Sequence, residues 1–187
     1  PADLRHQMEI NLIGVLNVTQ AFGPLLGVDT RRDGKPGRIV NISSVAGIRA
    51  LPFLGPYAAS KHALEGFSES LRRELLPFGV DVIVIGPGPV KTAIWDKADE
   101  AGMSEYLDTP YRPMLENFFR MFTRQGRNGL PAEDLGELIH KTLTIDKPKV
   151  RYAAVNRGFI EKLVTSLASK RMLDRMIGKA LGLLPKT

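Results

Sequence analysis

Apolar side chains recur at three- and four-residue steps through DLRHQMEINLIGVLNVTQAF (3–22), where Leu4, Met8, Leu12, Val15, Leu16 and Thr19 fall along one side of a helix. The spacing predicts a first helix over 3–26 with one buried stripe, ending near Pro24. RIVNIS (38–43) is a short apolar run with β-branched residues and reads as a buried strand. A second helix is expected over 56–78, with Ala59, Ala63, Phe67, Leu71 and Leu75 as its packing stripe and Pro77 and Gly79 as its stop. VDVIVIG (80–86) predicts a second buried strand, and VRYAAV (150–155) a third. Between them, residues 91–129 show no strong period beyond a short helical stretch around 112–124. A further helix is expected over 131–144, where Pro131 precedes acids in the first turn, and a last amphipathic helix over 158–184.

Apolar strands without alternation, separated by helices, imply an α/β fold with a parallel sheet covered on both faces. A chain of 187 residues is long enough for one such domain, and 43% apolar with 25% charged residues excludes disordered and collagen-like classes. No repeat or low-complexity tract is visible, so residues 1–187 are expected to form a single domain, with 94–129 as an extended loop or lid region.

The formal charge of +6 is uneven: residues 141–187 carry eleven Lys or Arg against three acids, and residues 1–140 carry fifteen against seventeen. A basic amphipathic tail reads as a solvated face or a helix docked on its own protein or on a partner subunit, with contact to an anionic membrane surface as the alternative; no nucleic-acid partner is expected. The chain has no cysteine, so disulfide and thiolate chemistry are excluded, and a reducing, cytoplasmic setting is expected. His6, His62 and His140 lie at no metal-ligand spacing, and no metal is expected.

Tyr57 and Lys61 stand four residues apart in GPYAASKHALEGF (55–67), which places them about 40° apart on one helix face. A phenol is a weak base at neutral pH, and an ammonium beside it stabilises the phenolate, so the pair can work as an acid–base catalyst. NISSVAG (41–47) leaves a buried strand with two hydroxyls, at the strand end where doubly wound sheets bind ligands. Ser43 and Ser44 read equally as the caps of a turn or as donors to a substrate oxygen. GPGPVKT (86–92) follows the second strand at the same end, and its Gly and Pro residues allow close approach by a planar ligand.

Taken in order, NLIG (11–14), NISSVAG (41–47), YAASK (57–61) and PGPVKT (87–92) resemble the short-chain dehydrogenase/reductase family across essentially the whole chain. Ser44 lies thirteen residues before Tyr57, which matches the spacing usual in that family. The resemblance implies a Rossmann-like doubly wound sheet and hydride transfer between NAD or NADP and an alcohol or its carbonyl compound. It implies that Tyr57 is the acid or base, that Lys61 tunes it and binds the nicotinamide ribose, that Ser44 holds the substrate oxygen, and that Asn11 holds a water in a proton relay. Pro87, Gly88, Val90 and Thr92 match the segment beside the nicotinamide, and Gly86 stands where that family often has Asn or Glu. EGFSESLRRELLPFGVDV (65–82) and KPKVRYAAV (147–155) look most like the branch with retinol, hydroxysteroid and 3-hydroxybutyrate dehydrogenases. Trp95, Tyr106, Phe118, Phe119, Met121 and Phe122 then suggest a small apolar alcohol or ketone as substrate, or ordinary core packing. Family members commonly dimerise through helices matching 3–26 and 56–78, so a homo-oligomer is expected.

The family's first strands and glycine-rich phosphate loop have no counterpart here: no Gly-x-x-x-Gly-x-Gly or Gly-x-Gly-x-x-Gly occurs, and the chain opens PADLRHQMEI without Met. An N-terminally truncated dehydrogenase is therefore expected; the resemblance then implies that residues 1–187 are a single partial domain and 94–129 a substrate lid. The alternative is a non-catalytic binding or oligomerisation module that has lost its cofactor.

Overall fold

The computed structural model describes residues 1–31, 33–97, 106, 108–156 and 169–185. They group into two compact units, Pro1–Pro87 with Glu133–Ala154, and Gly88–Ala132 with Val155–Thr187.

In the first unit, strands β1 (Arg38–Ile42), β2 (Asp81–Pro87) and β3 (Arg151–Ala154) form a parallel sheet in the order β1-β2-β3. β2 lies between two neighbours, and every residue from Val82 to Pro87 is buried, which is why its sequence is apolar without alternation. β1 has one neighbour among the described strands and is largely half-buried, with Ile42 exposed.

The first helical course runs as α1 (Ala2–Met8), a π turn (Glu9–Ile13), α2 (Gly14–Phe22) and a 3-10 turn (Gly23–Leu26). The π turn widens the helix by one residue around Asn11, with the Gly14 N–H reaching the Glu9 carbonyl. The expected stripe is only half-buried: Leu4 is 43% exposed, and no residue from Ala2 to Phe22 is fully covered. This course packs chiefly on one other helix, so an apolar period here marks a covered side rather than an interior one.

That helix is α3 (Gly55–Glu74), started by Pro56 in its first turn and followed by a 3-10 turn (Leu76–Phe78) and left-handed Gly79. Leu71 and Leu75 join Val80 and Val82 in a core cluster, with Leu26, Val28, Ile39, Phe67 and Phe78 packed around it. The N-terminal half of the expected stripe is displaced. Ala59 is exposed and Ala63 half-buried, and the buried face reads Ala58, Ser60, Lys61, Leu64, Ser68 and Leu71. Three of those side chains are polar and each is hydrogen-bonded, so a count of apolar positions passes over them.

α6 (Ala132–Thr144) forms as its capping pattern predicts. Arg38 ties its end to the sheet: Nη1 donates to the carbonyls of Thr142 (3.1 Å) and Leu143 (3.0 Å), Nη2 to Asp146 (3.3 Å), and Nε to Asp81 (3.2 Å). A guanidinium there satisfies orphan carbonyls at the negative end of the helix.

The second unit holds α4 (Ile94–Lys97), α5 (Arg112–Arg127) and α7 (Lys170–Leu181). The expected weak stretch around 112–124 is a helix of 16 residues. Its buried face, Leu115, Phe118, Thr123 and Gly126, includes two residues that hydropathy does not score. Of the helix expected over 158–184, Lys170–Leu181 is helical, with Ser169 as N-cap and left-handed Gly182 at its end; residues 157–168 lie outside the described residues. Among the described residues, no helix is long and apolar enough to cross a membrane.

Candidate active site

α3 begins close behind the C-terminal end of β1, and the chain between them carries Ser43 and Ser44. The backbone N–H of Ser43 donates to the Ile85 carbonyl at 2.7 Å and extends the sheet by one bond. Ser44 is the N-cap of a 3-10 turn (Val45–Gly47), its Oγ accepting the Ala46 N–H at 3.1 Å. Of the two sequence readings of Ser44, the turn cap is the one seen here. One lone pair caps the turn, and the O–H remains able to donate to a ligand.

Gly47 allows that turn to lie against α3. A Cβ on it would sit 2.7 Å from Ser43 Oγ, 3.0 Å from Glu65 Cγ and 3.1 Å from the Lys61 carbonyl oxygen. The Ser43 hydroxyl is buried and, among the described residues, without a hydrogen-bond partner.

Lys61 is 9% exposed, and its Nζ donates to the Ile42 carbonyl at the end of β1, 3.0 Å away. Burial pushes its ammonium below the ordinary lysine value. The same Nζ lies 5.8 Å from the centroid of the Tyr57 ring, near the outer limit of a cation–π contact. The helix spacing thus brings the predicted pair together, and the strand end fixes where the cation sits.

Asn11 reaches α3 through Ser60. Its Nδ2 donates to Gln7 Oε1 (2.8 Å) and to Ser60 Oγ (3.1 Å), and Ser60 donates to the Tyr57 carbonyl (2.8 Å). Ser60 is fully buried, and its local signal is a small polar residue three positions after Tyr57 on the helix. Glu65 and Arg151 form a forked ion pair with three N–O distances of 3.0 to 3.3 Å. Glu65 follows Lys61 by one helical turn, and Arg151 lies 86 residues away in sequence, so no local pattern joins them. His62 is exposed, with Nδ1 2.8 Å from the Ala58 carbonyl.

Pro87 closes β2 opposite Ala154. In the second unit, Val90 forms an isolated parallel bridge with Leu130, supported by bonds from Lys91 N–H to Leu130 (2.8 Å) and from Leu130 N–H to Pro89 (2.9 Å). Gly88 is the first residue of that unit, and Thr92 is exposed, its carbonyl 3.4 Å from the Trp95 N–H just ahead of α4. Trp95 donates from Nε1 to the Val90 carbonyl at 2.6 Å and lays its ring over Gly126. Trp95, Phe118 and Phe122 pack ring against ring, with Phe118 only 2% exposed, so part of the expected lid's aromatic content forms the interior of this unit.

The sequence pattern of the family described as short chain dehydrogenase matches residues 1–102. An NADPH-dependent 3-dehydrocapnine reductase of Ornithobacterium rhinotracheale is 37% identical over 96% of this chain and 62% of its own length. Human 17-beta-hydroxysteroid dehydrogenase type 1 is 35% identical, over 80% of this chain and 45% of its own. Among solved structures, a short chain dehydrogenase/reductase from Burkholderia phymatum in complex with NAD aligns with a TM-score of 0.59 at 27% identity, covering 83% of this chain and 53% of that one. The chain thus spans less than two thirds of the length of these relatives. The parallel sheet with its helices, the similarity to these relatives and the match over 1–102 agree, and the chain belongs to the short-chain dehydrogenase family.

Proposed function

We propose that the polypeptide carrying this chain interconverts an alcohol and its carbonyl compound with NAD or NADP, and that Tyr57 is its acid and base. The observation that carries this reading is the placement of the Lys61 ammonium, buried, bonded to the Ile42 carbonyl and 5.8 Å from the Tyr57 ring. A cation held there favours the phenolate left when the hydroxyl gives up its proton. The hydroxysteroid dehydrogenase among the relatives supports an apolar carbonyl substrate, and the NADPH-dependent reductase together with the NAD complex of the Burkholderia protein supports either nicotinamide cofactor.

The donor set fits such a cofactor. An ammonium has three N–H donors, and Lys61 uses one on Ile42, which leaves two for ribose hydroxyls beside the Tyr57 hydroxyl. Pro87, Gly88, Val90 and Thr92 are proposed as further cofactor contacts on the sequence resemblance alone. When bound, the nicotinamide supplies the hydride that reaches the carbonyl carbon. Tyr57 then protonates the carbonyl oxygen, while the Ser44 hydroxyl donates to that oxygen as its charge develops. Asn11, bonded to Ser60 next to Lys61, lies on the route proposed for returning a proton to Tyr57.

The deciding experiment is turnover of a panel of apolar alcohols and ketones by the complete polypeptide, followed by nicotinamide absorbance. Turnover that is lost in Tyr57→Phe supports the reading, and full activity in that variant overturns it. A protein that binds neither NADH nor NADPH would instead favour the non-catalytic module. Self-association through the helices at 3–26 and 56–78 is proposed as well, supported by the exposed apolar residues Ile10, Val18 and Phe22.

A further inference from the structure

The Glu65–Arg151 pair joins the pieces that carry the proposed chemistry. Tyr57, Lys61 and Glu65 follow at four-residue steps on α3, and the side chain of Glu65 reaches the turn that begins at Ser44: its Cγ lies 3.0 Å from the position of a Cβ on Gly47. On its other side Glu65 takes the Arg151 fork, Nε to Oε2 and Nη2 to Oε1 both at 3.0 Å. The guanidinium in turn lies over Gly86, directly before Pro87, in the space a side chain there would fill. Four segments thus meet through two side chains: α3, the Ser44 turn, the end of β2 and the start of β3.

The surroundings favour a geometric role over a merely stabilising one. The Arg151 and Glu65 side chains are 27% and 19% exposed, and an ion pair this far withdrawn from water gains little net stability because desolvation offsets the attraction. What a two-pronged guanidinium–carboxylate contact does provide is a fixed mutual orientation of two planes. Arg31–Asp29, Arg73–Glu69 and Arg112–Glu116 link positions only two or four residues apart, and Arg38–Asp81 joins β1 to β2 at the strand starts, the opposite end from the Ser44 turn.

We infer that Glu65 and Arg151 are positioning residues that hold the Tyr57–Lys61 segment of α3 against the Ser44 turn, and that Gly86 is glycine because the guanidinium occupies its side-chain space. The catalytic meaning of this inference rests on the proposed function. Two readouts test it in the complete polypeptide: steady-state turnover with NADH or NADPH and the best ketone of the substrate panel, and amide hydrogen exchange of residues 44–47 and 57–61. Arg151→Met, Glu65→Gln and Gly86→Ala should each lower kcat by roughly ten- to a hundredfold, leave the KM for the cofactor within about twofold, and speed exchange in both segments. Gly86→Ala placed in the Arg151→Met background should add nothing, because the group it displaces is gone. If Arg151→Met fails to fold, Arg151→Lys keeps the charge without the fork and should show the same pattern. Unchanged exchange in both segments, or a loss of kcat that only follows a lowered melting temperature with Gly86→Ala fully additive, would overturn the inference. Wild-type turnover in Tyr57→Phe would overturn the proposed function instead, and the exchange rates would still decide whether the pair holds the segment.

Discussion

Lys61 spans from the second turn of α3 to the Ile42 carbonyl, 3.0 Å away, and that single bond fixes its ammonium 5.8 Å from the centre of the Tyr57 ring. A helix alone sets the two side chains on one face. The strand end decides how far the cation reaches.

Lys61→Met should lower kcat by about 10²–10⁴-fold, the range for losing a group that tunes an acid–base catalyst, as read by nicotinamide absorbance. The same variant tests the burial of the ammonium through the pH dependence of stability. Burial lowers the Lys61 value from the ordinary 10.5, so the folded chain loses this proton at a lower pH than the unfolded chain. Below the folded value both states are charged and the desolvation cost is fully present. Between that value and 10.5 the unfolded state holds more protons, and stability rises with pH. Urea titrations should therefore show wild type gaining on Lys61→Met as pH climbs toward 10.5 from below; a difference that stays flat or falls would contradict the buried cation.

Two glycines, Gly47 and Gly66, should respond in opposite directions. Gly47→Ala brings a methyl group to 3.1 Å from the Lys61 carbonyl oxygen and 2.7 Å from Ser43 Oγ, and should destabilise by about 1–3 kcal/mol because backbone cannot step aside. Gly66 lies within α3 with nothing within 4 Å of its would-be Cβ, so Gly66→Ala should stabilise by about 0.5–1 kcal/mol. Thermal unfolding of the two variants side by side checks both signs.

Trp95 is the sole tryptophan, and its ring covers Gly126. Gly126→Ala should push the indole off α5, break the Nε1 bond to the Val90 carbonyl, and cost about 1–3 kcal/mol. The expected signature is a red-shifted, weaker-packed tryptophan emission. Emission identical to wild type would mean that the ring does not pack there.

Arg38 is the link between β1 and the end of α6, with four bonds from one guanidinium. Arg38→Met should destabilise by about 1–3 kcal/mol by leaving the carbonyls of Thr142, Leu143 and Asp146 without this donor. The check is a lower urea midpoint with an unchanged slope. Exchange protection should fall first in α6.

The sequence by itself determined the order and kind of the elements of the sheet unit, because those signals are local. The short β-branched run Val82–Ile85 between Gly79 and Gly86 reads as a strand buried on both faces, and Pro56 and Gly79 bracket α3 through backbone geometry that each residue carries with it. It also singled out Asn11, Ser44, Tyr57 and Lys61 as candidates, since four short motifs in a fixed order need no contact to be recognised. Tertiary structure decided which polar side chains enter the interior. Ser60, Ser68 and Lys61 are buried because Tyr57, Leu64 and Ile42 offer them carbonyl oxygens, and that compensation is invisible to hydropathy. It decided the face of the first helical course, half-covered because α3 is its chief neighbour, and the length of α5, whose buried face includes Thr123 and Gly126. The Glu65–Arg151 contact is the clearest case: 86 residues separate its partners, and only the pairing of β2 with β3 beneath α3 brings a guanidinium to a carboxylate across a glycine.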